Sequence, residues 1–170
     1  IRTGAAVAEV LTANGRTSGV RLASGDVIPS DIVICNGDPA ALATGRFGAA
    51  AARAVPAIPP TRRSLSALVW YAHTATAGFD LTHHNVFFSP DYPREFREIG
   101  EGRPPSDPTV YVCAIDRGAA ADAPPPSGRE RLQIIVNAPA NGDVHEYSPE
   151  ERERCTHAMM ATLRRCGLVL

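Results

Sequence analysis

Two adjacent histidines, His83 and His84, are the first residues whose types could do chemistry, since paired imidazoles are how many metal sites begin. On a strand, however, neighbouring side chains point to opposite faces, so one ion cannot easily use both. His145 and His157 lack a cysteine or carboxylate partner at zinc-like spacing. Histidines satisfied by hydrogen bonds or by solvent are the better reading, and no metal is expected. The four cysteines, Cys35, Cys113, Cys155 and Cys166, form no Cys-x-x-Cys pair. Cys35 and Cys113 fall in apolar strand-like runs, where a thiol is inert packing, and all four are expected to be free thiols in a reducing compartment. There is no Gly-x-Ser-x-Gly elbow, no Gly-x-Gly-x-x-Gly and no phosphate loop, so no catalytic residue and no cofactor-binding residue is assigned. Asn14-Gly15 and Asn36-Gly37-Asp38 are turns rather than phosphate cradles. Arg62-Arg63 could pair an anion, but two exposed arginines beside a strand are ordinarily solvation.

Aromatic residues remain. Trp70, Tyr71, Phe87, Phe88 and Tyr111 are the large apolar groups of the strand-like segments. Alternation sends Leu68, Trp70 and Ala72 to one face and Val69 and Tyr71 to the other. One face should meet a helix, and the other could line a long apolar cavity. Ordinary core packing is the competing reading, because aromatic stripes usually fill cores. Residue by residue, the chain reads as an α+β domain without a self-contained catalytic centre.

The elements that must position these residues are legible in outline. The first forty residues read as a short β-meander: a strand through Val7, Glu9 and Leu11, the Asn14-Gly15 hairpin turn, a second strand over 19–23 and a third, continuously apolar one over 31–35. Residues 41–61 are rich in Ala, Gly and Pro and form the candidate linker, either a short helix over 49–55 or a crossing segment. From 62 to 170 a different pattern holds, with strands over 64–72, 85–89, 109–115 and 132–136 and a short helix over 93–99. Exposed loops are expected over 100–108 and over 118–129, the latter containing Pro124-Pro125-Pro126. Ser148-Pro149-Glu150-Glu151 is a capping box with proline at the first helical position. Cys155, Ala158, Met159, Thr162, Leu163 and Cys166 follow at helical spacing, and Gly167 closes the helix. A two-layer domain results: a mainly antiparallel sheet with a covering C-terminal helix, preceded by the meander.

Seventeen basic and eighteen acidic residues among 170 leave a net charge of -1, which argues against a protein that tracks nucleic-acid phosphates, since that affinity rests on a basic stripe. All seventeen cations are arginine, a compositional bias in keeping with the abundant alanine. At roughly 70% burial on folding, a chain of this length needs no disulfide or metal staple. No apolar run approaches the roughly 18 residues needed to span a bilayer. The chain opens at Ile1 and stops at Leu170 in an apolar stretch, the look of a piece of something longer.

Several runs carry a resemblance. Gly15-Arg16-Thr17-Ser18-Gly19-Val20-Arg21-Leu22-Ala23-Ser24-Gly25-Asp26, followed by Asp31-Ile32-Val33-Ile34-Cys35-Asn36-Gly37-Asp38-Pro39, resembles the middle of bacterial carotenoid desaturases of the phytoene-desaturase family. In that family the last segment usually reads Asn-Ala-Asp-Pro, and here Gly37 replaces the alanine. Arg63-Ser64-Leu65-Ser66-Ala67, Asp91-Tyr92-Pro93-Arg94-Glu95-Phe96 and Asn137-Ala138-Pro139 also fit. His83-His84-Asn85-Val86-Phe87-Phe88-Ser89 and Pro108-Thr109-Val110-Tyr111-Val112-Cys113-Ala114 look most like one branch, the 1-hydroxycarotenoid 3,4-desaturases, also called methoxyneurosporene dehydrogenases.

The resemblance implies a substrate-domain part of an FAD-dependent, amine-oxidase-like flavoprotein that introduces a C=C bond into an acyclic, 1-hydroxylated carotenoid. Residues 1–40 would lie on the flavin-domain side, 41–61 would link, and 62–170 would be the substrate-binding domain. The family's flavin-binding glycine motif would lie upstream and its closing flavin contacts downstream, so FAD belongs to the whole enzyme and none is expected on this piece, inactive alone. Family desaturation passes a hydride to the flavin, while the protein supplies orientation and a dry apolar tunnel. Trp70, Tyr71, His84, Phe87 and Tyr111 are the implied substrate-binding residues, and Trp70→Ala or Phe87→Ala should raise the substrate requirement far more than it disturbs flavin content. Implied partners are an acyclic carotenoid, a peripheral membrane contact and, for the isolated piece, self-association. The location would be cytoplasmic or peripheral to the inner membrane. The alternatives are a phytoene or carotene desaturase of the same family, and a stand-alone apolar-ligand binding or interaction module.

Overall fold

The computed structural model describes residues 1–118 and 126–170, in two compact units, Ile1–Arg63 and Ser64–Leu170. Most of the proline-rich loop expected over 118–129 lies outside the described residues.

The first unit is a three-stranded antiparallel meander, β1 (Val7–Ala13), β2 (Arg16–Leu22) and β3 (Val27–Pro29), followed by two short helices, α1 (Pro39–Ala43) and α2 (Ala49–Ala52). Asn14 and Gly15 both have positive φ, 52° and 75°, which matches the right-handed twist of a two-residue hairpin. The third strand is not where the apolar run predicts it. Val27–Pro29 pairs with β2, through Gly19↔Pro29, Val20↔Ile28 and Arg21↔Val27. Residues 31–35 join no ladder, and Ile32 and Ile34 are 75% and 90% exposed. Apolar character calls for cover but does not supply a pairing partner, and the turn at Ser24–Asp26 delivers the chain to β2 five residues earlier.

The second unit holds the larger sheet. Its strands are β4 (Ser66–Thr74), β5 (His84–Phe87), β6 (Val110–Ala114) and β7 (Glu130–Ala138), in the order β4-β7-β6-β5 and antiparallel throughout. Helix α3 (Tyr92–Gly100) follows β5, and α4 (Pro149–Arg165) closes the chain. The expected capping box is complete: the Ser148 hydroxyl accepts from the Glu151 amide, and the Glu151 carboxylate accepts from the Ser148 amide. The buried stripe of α4, Cys155, Met159, Thr162 and Leu163, lies on Phe87, Val110, Val112, Ala114, Leu132, Ile134 and Val136. Each of those sheet residues sits on one face by alternation, and on the opposite face α3 reaches Asn137 at one end through Glu95, while Val69, Tyr71 and Val86 stay exposed.

Polar groups fasten this unit. Arg117 donates two hydrogen bonds to Glu130, at 2.8 and 2.7 Å, and one to the Leu81 carbonyl at 2.6 Å. Glu130 is 2% exposed and also accepts from Thr76. The Arg117 guanidinium holds the Glu130 carboxyl below the ordinary carboxylate range, against a burial effect of opposite sign. After α4 the chain returns to residue 77, where Ala77 and Val169 exchange two backbone hydrogen bonds of 3.0 Å. Gly78 permits this: its φ is +84°, and a Cβ there would stand 2.3 Å from the Gly167 carbonyl oxygen.

Candidate functional site

The face of the four-stranded sheet opposite α4 is ordered in rows, because residues directly opposite across antiparallel strands share a face. One row is apolar: Val69 opposite Ile135, Ile135 opposite Tyr111, Tyr111 opposite Val86. The next is polar: Tyr71 opposite Gln133, Gln133 opposite Cys113, Cys113 opposite His84. Beyond it His73 stands opposite Arg131, whose guanidinium is ion-paired with Asp116 at 2.5 Å. Apolar, polar and charged rows thus succeed one another across the face.

The polar row is wired locally. Gln133 donates to the Tyr71 hydroxyl at 3.0 Å, and His84 Nδ1 lies 2.7 Å from the Tyr111 hydroxyl. The His84 and Tyr111 rings stack, 24° from parallel. Burial pushes the Tyr111 phenol above its ordinary value, and the neighbouring Cys113 thiol pushes the same way, so Tyr111 keeps its proton at neutral pH. Neither row carries a carboxylate. The two rows set an apolar strip beside hydrogen-bonding groups, and the Cys113 thiol of the polar row lies 3.8 Å from His83 Nε2.

The five residues assigned from the sequence divide between the two faces. Tyr71, His84 and Tyr111 come together on the open one. Phe87 is 3% exposed within the core, and Trp70 is half-buried against it, donating from Nε1 to the Thr156 hydroxyl of α4 at 3.1 Å. Gln133 and Cys113 complete the polar row, and nothing local in the sequence marks either; only the strand register brings them beside Tyr71 and His84.

The strand-alternation argument against the histidine pair fails for a local reason. Asn85 folds its side chain back on the preceding turn, accepting from the Thr82 amide at 2.9 Å and donating to the Thr82 carbonyl at 2.8 Å. His83 lies in a bend before β5, with its carbonyl accepting from the Ala114 amide of β6 at 2.9 Å. The His83 and His84 ring centroids are 4.3 Å apart, and one donor atom from each of His83, His84 and Cys113 lies within 4.8 Å of the others.

The helices of the first unit are both short. Helix α1 begins at Asp38, whose own carboxylate accepts from the Ala40 amide at 2.8 Å and so places negative charge where a phosphate would sit. Helix α2 has only four residues.

No protein-family model matches the chain. It is similar to the hydroxyneurosporene desaturase of Rubrivivax gelatinosus, 46% identical over 99% of this chain and 32% of that protein. The hydroxyneurosporene desaturase of Cereibacter sphaeroides is 42% identical over 99% of this chain and 33% of its own length. The zeta-carotene-forming phytoene desaturase of Myxococcus xanthus is 37% identical over 80% of this chain and 26% of its own length. The chain spans about a third of the length of the first two relatives. The chain belongs to the carotenoid desaturases.

Proposed function

We propose that the protein containing this chain is a flavin-dependent desaturase of an acyclic carotenoid bearing a terminal hydroxyl, and that the open face of the Ser64–Leu170 unit forms a wall of its substrate site. The observation that carries the reading is the succession of rows. Val69, Ile135, Tyr111 and Val86 offer a dry strip for a polyene. Tyr71 and Gln133 stand one row away, with donors and acceptors for a single hydroxyl. A site built to hydrogen-bond a hydroxyl rejects the analogue lacking it, because its own polar groups then lose a partner. The flavin, seated outside this chain, would supply the hydride acceptor. The residues named here would orient the substrate and exclude water, with none acting as acid or base.

The names of the relatives support the hydroxylated substrate over the unhydroxylated one, since two are called hydroxyneurosporene desaturases. The test is the absorption spectrum of the intact enzyme supplied with a 1-hydroxycarotenoid or with phytoene. A red shift with the hydroxylated substrate alone is expected. In Tyr71→Phe and Gln133→Leu the preference should fall by about tenfold, the worth of one hydrogen bond. Colour from phytoene alone, or a preference untouched by both substitutions, would contradict the assignment.

A further inference from the structure

We propose that His83, His84 and Cys113 form a binding site for a thiophilic divalent cation, with zinc as the fitting ion. The donor set is two imidazole nitrogens and one thiolate, the combination that zinc takes and that calcium and magnesium refuse. In a tetrahedral zinc site, donor atoms stand roughly 3.3–3.6 Å apart, given metal–nitrogen and metal–sulfur bonds of about 2.0 and 2.3 Å. His83 Nε2 is already 3.8 Å from Cys113 Sγ, and all three donors lie within 4.8 Å of one another. Closing the set takes side-chain rotation of about an ångström. His84 can supply it, being exposed and on the edge strand β5.

A second feature separates this cluster from a chance meeting of side chains. His83 Nδ1 lies 2.7 Å from the Arg117 carbonyl oxygen, which can only accept, so Nδ1 carries the hydrogen and the Nε2 lone pair faces Cys113. That is the outer-shell contact that fixes tautomer and ring orientation in metal-bound histidines. The carbonyl is itself held in place, because the Arg117 side chain is locked onto Glu130 and the Leu81 carbonyl. Three protein ligands leave the fourth position of a tetrahedral ion for a water molecule. A bound ion would pin the bend before β5 onto β6 at the sheet's free edge. It does not depend on the substrate reading above, since the experiment below uses no carotenoid.

Cobalt(II) titrated into the metal-free protein should give a thiolate-to-cobalt charge-transfer band that saturates near one equivalent, and zinc should bleach it by displacement. Cys113→Ser should abolish the band, while Cys155→Ser, under α4, should keep it. His83→Ala and His84→Ala should each weaken zinc binding by at least about tenfold. The exposed His84 site makes its variant a safe one for folding, checked by circular dichroism, so a misfolded Cys113→Ser would not remove the test. Absence of the band, a band retained in Cys113→Ser, or native zinc affinity in both histidine variants would overturn the site.

Discussion

Glu130 shows how one side chain sets the tolerance of the larger unit to acid. Its carboxylate is buried and accepts two charge-assisted hydrogen bonds from Arg117. Because its folded value lies below its unfolded one, its contribution is complete above the unfolded carboxylate value of about 4.3. That contribution is lost as pH falls through the folded value. Glu130→Gln should cost about 3 kcal/mol at neutral pH, since Arg117 is left buried without its partner. Denaturant unfolding across the acid range should show the gap between native and variant narrowing below the unfolded value. A gap independent of pH would mean that the pair contributes nothing through charge. The same scale shows what a sequence hides. Tyr71, His84 and Tyr111 lie on the open face, yet Trp70 and Phe87, singled out by the same residue type, lie against the helix-covered core. For those two, truncation to alanine is a loss of packing, at about 3–5 kcal/mol for a well-buried aromatic, before it is anything else.

At the level of elements, legibility followed the kind of signal. Helix α4 could be placed from its sequence because a capping box, a proline at the first turn, a 3.6-residue stripe and a closing glycine all agree. Ser148→Ala should therefore cost about 1 kcal/mol, measured by chemical denaturation, with no change in the sheet; an unchanged stability would show that the cap is replaced by solvent. The four strands of the larger sheet were legible from β-branched and aromatic runs, with ends shifted by a few residues. Their order was not, because register belongs to pairs of strands rather than to either one. The strand expected over 31–35 failed for the same reason: its residues are apolar, but the neighbouring ladder takes Val27–Pro29. His83 escaped the alternation rule because it lies in the bend just ahead of β5 rather than within the strand.

For the whole molecule, the apolar side chains left without cover include Ile32 and Ile34 in the first unit, and the open sheet face with Val69 at 44%, Val86 at 50% and Tyr71 at 75% exposure in the second. No helix among the described residues is long and apolar enough to cross a membrane. Apolar surface of this kind drives association in water, so the isolated 170-residue chain should associate with rising concentration in light scattering. Val86→Glu or Ile34→Glu should disperse it. A strictly monomeric particle at high concentration would show that these areas are not sticky. Under the proposed reading the same exposure would serve a purpose, since a wall for a polyene must be apolar and reachable.

The claim that the open face is that wall is tested most directly by placing a charge on it. Val69 is half-exposed at one end of the apolar row, on the outer strand β4, so Val69→Asp should leave folding and flavin content of the intact enzyme unchanged. A carboxylate there must be desolvated against the polyene, and the KM for a 1-hydroxycarotenoid should rise by at least about tenfold. An unchanged KM with normal flavin content would contradict the account and move the substrate away from this face.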